Sequence, residues 1–396
     1  MGESPEAIRG TRQVPRMTAR RLWVTLHRWL GILGGGLIAL VGLTGSLNVF
    51  HREIDAWVNP TLFAPAVVGG THRIGVDEAL AVALAADRSG RVSLVRLPDP
   101  VWPVIVVNQT RQTPDGQRLF SIHIDPTTGQ VLGSRDYDAS FSRTVYRLHS
   151  KMLTRSWWGD WVVGIAGMLV VVSAGTGLWL WWPRSVNHRF GAALFRLRRR
   201  PLQVFYIDLH NLAGVWTAGL LLVIGLTGVW MALPELVRPV VGFFSETRAI
   251  TPVSTMRFTW PPAIGASQAQ AIAETAVPGA KAGYVSPPHG RRNSWQIGMQ
   301  GTGGDPRIRS RGYVWIDPVT GAVLGILGEG QGSLAQRMEK DLVWLHGGAL
   351  FGLPGRLLAL VAGLALPFLW VTGLLAWLRR RSRQRALDKV RIAATA

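Results

Sequence analysis

The stretch LGILGGGLIALVGLTGSLNVF, Leu30 to Phe50, runs 21 residues without a charge. About 20 apolar residues cross the hydrocarbon core of a bilayer as a helix. In lipid the backbone must satisfy its own hydrogen bonds, so helix is the state this run dictates. Three further uncharged runs, Trp161 to Trp182, Leu212 to Leu233 and Leu357 to Leu378, have 22 residues each. Trp residues gather at their ends (Trp157, Trp158, Trp161, Trp179, Trp181, Trp182 and Trp377), as interfacial anchors do. The reading is a membrane protein with four transmembrane α-helices.

Composition agrees. The 396 residues are 48% hydrophobic and only 17% charged, too greasy for a soluble enzyme of this length. There is no cysteine, which excludes disulfides, thiolate-held iron–sulfur clusters, thioether-linked haem and a catalytic thiol. The net charge of +20 is placed unevenly. Segments 1–28, 183–204 and 379–396 hold 19 of the 43 Lys and Arg but only three of the 23 acids, a balance of +16 against +4 for the rest. That excess flanks span ends on one side, which assigns both termini and the middle loop of a multi-pass membrane protein to the cytoplasm. Arg196 to Arg200 and Arg379 to Arg385 read as juxtamembrane lipid anchors, so nucleic acid is not an expected partner. The first span lacks a small-x-small cleavage pattern and reads as a retained anchor.

The chain is internally duplicated. Leu26-His27 returns as Leu209-His210, and Gly42-Leu43-Thr44-Gly45 as Gly225-Leu226-Thr227-Gly228, both at an offset of 183. Ile124 to Gly133 (IDPTTGQVLG) returns as Ile316 to Gly325 (IDPVTGAVLG) at 192, and Leu148-His149 as Leu345-His346 at 197. Each half is thus a span, an external unit and a second span, which keeps both halves in one orientation about an axis along the membrane normal. The external units read as α+β. Helical spacing covers Val76 to Asp87 and Ser267 to Ala276; strand candidates are 91–97, 102–108, 119–125, 294–300 and 313–317. Asp125 and Asp317 open Asp-Pro-x-Thr-Gly, which is turn chemistry rather than a ligand set.

The Leu-His-Arg-Trp-Leu-Gly start of span one, the Thr-Gly in every span and the duplicated Asp-Pro-x-Thr-Gly-x-Val-Leu-Gly resemble the PepSY-associated transmembrane family over about residues 20–380. That family includes PiuB-type iron-regulated membrane proteins and ferric-siderophore reductases. The resemblance implies two periplasmic PepSY-like domains on a four-helix core and, in the reductase members, non-covalent haem. The expected layout is a cytoplasmic arm (1–21), a first span (22–51), PepSY-like domain one (52–145) and a surface helix with the second span (146–183). A basic cytoplasmic loop (184–204), a third span (205–234), PepSY-like domain two (235–340), a surface helix with the fourth span (341–378) and a basic tail (379–396) follow.

Duplication also sorts the nine histidines. His27 and His210 share one position at the cytoplasmic ends of spans one and three; His149 and His346 share another, just before spans two and four on the outer side. A b-type haem needs imidazole and no cysteine, so each pair is a candidate set of axial ligands, two haems b in all. His51 and His188, at the other ends of spans one and two, are the alternative ligands. Interfacial histidines also sit among headgroups or cap helices, and that reading stands beside the haem one. A divalent metal site has no His-x-x-His or Glu-x-x-His spacing behind it. The four Thr-Gly pairs, at Thr44, Thr176, Thr227 and Thr372, suit helix contacts, a bond to the preceding turn or a haem propionate, and Arg20, Arg21 and Arg28 also suit propionates.

No nucleotide or flavin fingerprint occurs, so electrons would come from a quinol or a cytoplasmic reductase. The expected activity is a haem b oxidoreductase passing electrons to periplasmic ferric iron, siderophore-bound. The alternative is a non-enzymatic binding protein anchored by its helices. A transporter is disfavoured, because the uncharged runs offer no intramembrane charge for an ion path. The charge map makes a direct prediction: an alkaline phosphatase fusion at residue 390 should be inactive and one at residue 100 active in intact cells. Activity at residue 390 would overturn the orientation.

Overall fold

A computed structural model describes residues 19–66, 73–114, 116–182, 194–247, 261–289, 293–301, 312–328 and 332–395. The first apolar run forms two helices, α1 (Ala19–Leu33) and α2 (Gly35–Val49), bent by 60° at Gly34. The sequence reading has one span over 22–51; the structure bends it where Gly34, Gly35 and Gly36 adjoin. A Cβ on Gly34 would lie 2.8 Å from Leu169 Cδ1, and one on Gly35 would run into the Trp370 indole. Adjacent small residues are a recognised site of helix kinks, and here three glycines adjoin.

The first half continues through α3 (His51–Val58), α4 (Pro60–Phe63), α5 (Val76–Ala86), β1 (Arg91–Arg96), β2 (Ile105–Thr113), β3 (Gly116–Ile124), β4 (Val131–Asp136), α6 (Phe141–Lys151) and α7 (Trp158–Trp181). The second half has α8 (Leu202–Ala232), α9 (Pro234–Gly242), α10 (Ala266–Ala276), β5 (Ala280–Ser286), β6 (Trp295–Gly301), β7 (Gly312–Ile316) and β8 (Val323–Leu327). It ends with α11 (Leu334–His346) and the long α12 (Gly352–Thr395). Three helices, α7, α8 and α12, are long and apolar enough to cross a membrane, and the bent α1–α2 pair makes four if it counts as one span.

In the bundle, Ile38 of α2, Val170 of α7, Leu221 of α8 and Ala362 of α12 meet in one buried cluster. Glycines set the closest crossings. A Cβ on Gly42 would sit 2.6 Å from the Gly363 carbonyl of α12, while Gly167 and Gly225 would each place one 3.3 Å from the other's carbonyl. Small residues let membrane helices approach to backbone contact. Gly42 and Gly225 are duplicates at the offset of 183, so the same motif glycine of each half makes the equivalent crossing to the other half.

The two α+β units share a single antiparallel sheet of eight strands, ordered β4-β3-β2-β1-β5-β6-β7-β8. Its central seam pairs Val95 with Val285 and Arg96 with Tyr284. One face packs Val95, Val107, Ile122, Val285, Ile297 and Val314 under α5 and α10 in a continuous core. The two helices cap each other: Asp77 accepts the N–H groups of Ala266 and Ser267, and Ser267 Oγ accepts the Asp77 N–H at 3.1 Å. Strand β5 has no counterpart among the sequence candidates, because a bulge between Ala282 and Tyr284 breaks its alternation. Strand β2 starts later than 102 because Trp102 and Val104 turn into a second cluster with Phe63 and Val106. Asp125 and Asp317 do turn duty: Oδ1 accepts from Thr127 and Thr128 in one, and from Val319 and Thr320 in the other. Gly129 and Gly321 follow at φ +72° and +75°.

On the opposite sheet face, His123 is 1% exposed, with the Phe63 ring 4.9 Å away. Burial, reinforced by Arg135 and Arg96, pushes this imidazole down to about 3. In the unfolded chain it titrates near 6.5, so the unfolded state takes the proton first. The contribution of neutral His123 is therefore complete above pH 6.5 and is lost as pH falls toward 3, at about 1.4 kcal/mol per pH unit. The melting temperature of the parent should drop more steeply between pH 6 and pH 4 than that of His123→Phe. Parallel curves in a calorimeter would contradict this.

Candidate cofactor-binding site

The duplicated histidines come together as two pairs, each made across the two halves. His27 of α1 faces His210 of α8 with ring centroids 6.1 Å apart, and His149 of α6 faces His346 of α11 at the same 6.1 Å. Each ring is half-buried against the apolar helices. A ring nitrogen left there without a partner would be costly, so the surroundings of Nδ1 are informative.

All four Nδ1 atoms meet a Thr-Gly pair on another helix. His27 lies 3.0 Å from Thr176 Oγ1 of α7, and His210 lies 3.3 Å from Thr372 Oγ1 of α12. His149 lies 3.4 Å from Thr44 Oγ1 of α2, and His346 lies 3.0 Å from Thr227 Oγ1 of α8. The threonine protons are already committed: each hydroxyl donates to the carbonyl four residues back, at Leu40, Val172, Val223 and Phe368, over 2.6 to 2.8 Å. Toward the ring, each therefore accepts. His149 and His210 also reach backbone carbonyls, Val41 at 2.9 Å and Leu369 at 3.0 Å, which can only accept. Nδ1 thus carries the proton, and in the neutral imidazole Nε2 is left with its lone pair.

The glycine after each threonine makes room for the ring. A Cβ on Gly177 or Gly373 would lie 3.2 or 3.3 Å from Cε1 of His27 or His210. On Gly45 or Gly228 it would lie 2.8 or 3.1 Å from Cε1 of His149 or His346. The motif Gly-Leu-Thr-Gly therefore divides its work. Its first glycine makes the helix crossing, its threonine fixes the tautomer, and its last glycine seats the histidine. The sequence pattern points to helix contacts, a bond to the preceding turn or a propionate; the bond to the preceding turn is made in all four, and the histidine seat is not part of that pattern. The recurrence of Thr-Gly in every span was the available signal.

Helix α8 carries His210 and, 17 residues on, Thr227, which holds His346. At ~1.5 Å per residue, the two histidine layers lie about 26 Å apart along that axis. Of the other sequence candidates, His51 opens α3 with Nδ1 2.8 Å from the Asn48 carbonyl, and His188 lies outside the described residues. Arg20 reaches the Leu180 carbonyl at the end of α7, 3.4 Å away.

The profile of the PepSY-associated TM region matches residues 24–380. The chain belongs to that family. No curated relative matches it. Its membership and its apolar helices make it a multi-pass membrane protein.

What the site can hold follows from its donors. Among the described residues no three His, Cys, Asp or Glu side chains converge, so a three- or four-ligand cage of the zinc type is not built there. Each pair offers two imidazole nitrogens. Two imidazoles from different helices are a donor set that would fit a b-type haem iron, and His27 with His210 or His149 with His346 would be the residues to hold it.

Removing the threonine acceptor tests the lock without any cofactor. Thr227→Val keeps the shape and removes the hydroxyl acceptor of the His346 Nδ1–H while the Ile224 carbonyl remains, so it should lower stability by about 1 kcal/mol. It should also shift the imidazole ¹⁵N resonances of His346. Thr217→Val, whose hydroxyl bonds the Ala213 carbonyl, should leave them in place. Unchanged His346 resonances in Thr227→Val would show that the hydroxyl does not set the tautomer.

Proposed function

We propose that the chain is a haem b oxidoreductase of the bacterial inner membrane that passes electrons outward to periplasmic ferric iron held by a siderophore. In this reading it is akin to the PiuB-type iron-regulated proteins and ferric-siderophore reductases of its family. One observation carries it: two histidine pairs with the same 6.1 Å separation and the same Nδ1 lock, placed at opposite ends of one helix bundle.

His27 and His210 would hold one haem and His149 and His346 a second, and haem supplies one-electron redox chemistry when bound. The chain's own residues do the rest. Threonine hydroxyls and carbonyls keep Nδ1 protonated and the lone pair of Nε2 available, which fixes ring orientation and basicity. The apolar helices keep water from the ligands. The inner pair lies beside the basic segments and the outer pair beside the sheet, and the positive-inside bias supports a periplasmic sheet and outer pair. A quinol or a cytoplasmic reductase is the electron donor.

Pyridine haemochrome assays on purified variants test the proposal. His27→Ala and His210→Ala should each lose the same half of the haem, and their double variant no more than either. His149→Ala and His346→Ala should lose the other half, and with it the reoxidation of dithionite-reduced protein by an added ferric siderophore. Full haem in the His27→Ala/His210→Ala double variant would refute the inner site. A colourless parent, expressed with haem supplied, would leave the anchored binding protein as the reading.

A further inference from the structure

The pairing registers place one row of residues across the whole sheet: Gly133, His123, Val106, Arg96, Tyr284, Gly298, Tyr313 and Leu327. Directly opposed residues in an antiparallel sheet share a face. This is the face away from α5 and α10. Duplication would make its two halves alike; among the described residues they differ. In the first half the chain plugs its own face: Phe63 packs on His123, Leu62 lies over Gly133, and Phe63 and Trp102 bury Val106. In the second half the row thins to Gly298, with the Tyr284 ring over it, and the face bounds a cavity of about 190 Å³.

The lining of that cavity is mixed and specific. Arg96 and Asp99 come from the first unit, Tyr284, Gln300 and Tyr313 from the second, and Trp344 from α11. Arg96 is 6% exposed and, like Arg52, stacks 4.7 Å from the Trp102 ring. Asp99 is ion-paired with Arg52. The Arg96 guanidinium lies over the Trp102 indole, which fixes the position of its positive charge at the cavity wall. Three aromatic side chains around it offer faces and edges to another ring. A concave site at the junction of two units, with a few convergent polar groups, is the usual setting of a small-ligand site.

We propose that this cavity binds a single-ring aromatic carboxylate, its carboxylate on Arg96 and its ring among Tyr284, Tyr313 and Trp344. The site belongs to the sheet and does not depend on haem. Its position gives it a bearing on the redox reading all the same. Trp344 and His346 are two residues apart on α11, which turns them about 200° from each other around the helix axis. Trp344 faces the cavity, while His346 bonds Thr227 of the bundle. The occupant would therefore sit one helix thickness, about 10 Å, from the outer histidine pair.

Calorimetric titration of the detergent-solubilised full chain tests this with benzoate, benzamide and cyclohexanecarboxylate as probes. Benzoate should bind one to one, and the other two at least about tenfold more weakly, one for want of charge and the other for want of a ring. Trp344→Leu, which keeps an apolar side chain, should weaken benzoate by a similar factor with an unchanged melting temperature. The His149→Ala/His346→Ala double variant should bind benzoate like the parent, so loss of the redox reading and loss of this site are separable. Absence of benzoate heat, equal affinity for benzamide, or parent-like binding by Trp344→Leu would overturn the assignment.

Discussion

The structure depends on one demand, that an imidazole buried between apolar helices must find an acceptor for Nδ1–H. In water that bond contributes little; in a dry bundle its absence is expensive. Each of the four paired histidines meets the demand on a helix other than its own, so each bond also states which helices are neighbours. His27 ties α1 to α7, His210 ties α8 to α12, His149 ties α6 to α2, and His346 ties α11 to α8. All four ties lie within a half. The two histidine pairs, by contrast, form between halves. A ligand held by a pair would then join two halves that are each already locked.

Duplication gave this arrangement twice and then diverged. The bundle keeps its symmetry closely: Ile38 and Leu221, Gly42 and Gly225, Thr44 and Thr227 are equivalent positions doing equivalent work. The first span does not, since its chain is bent by 60° at Gly34 while α8 runs 31 residues unbroken. The sheet keeps its strand order about the seam between β1 and β5 but treats its second face differently in the two halves. A buried ionic set fixes the first half, where Asp55 takes both guanidinium nitrogens of Arg135 at 2.9 and 2.5 Å and Arg52 pairs with Asp99. The second half spends the same face on a cavity.

Much of this was legible because membrane helices and repeats write themselves into sequence. A charge-free run of 21 residues has one stable state in lipid, and equal offsets single out histidines that symmetry must place at equal depth. What escaped was non-local. The neighbours that press on the bend at Gly34 and Gly35, Leu169 and Trp370, lie more than a hundred residues away. The joining of two units into one sheet rests on a seam strand, β5, whose bulge hides its period. The threonines were visible, but their second bond, to a ring on another helix, cannot be read from a local pattern that already explains their first.

That second bond also explains why the acceptor is threonine. In soluble metal sites the ring nitrogen opposite the metal is commonly bound by a carboxylate. A carboxylate inside this bundle would be a buried charge far from water, and its cost would fall on the folded state. A threonine hydroxyl avoids that cost. Its proton is absorbed by the helix that carries it, at the carbonyl four residues back, and its remaining lone pairs point outward as a neutral acceptor of fixed direction. A serine has the same groups but a freer χ1, whereas the branched threonine is stiffer. Glycine next in line then brings the ring within reach. The pair Thr-Gly is thus the smallest uncharged device that both orients an imidazole and leaves space for it, and its presence in all four apolar runs follows from using that device four times.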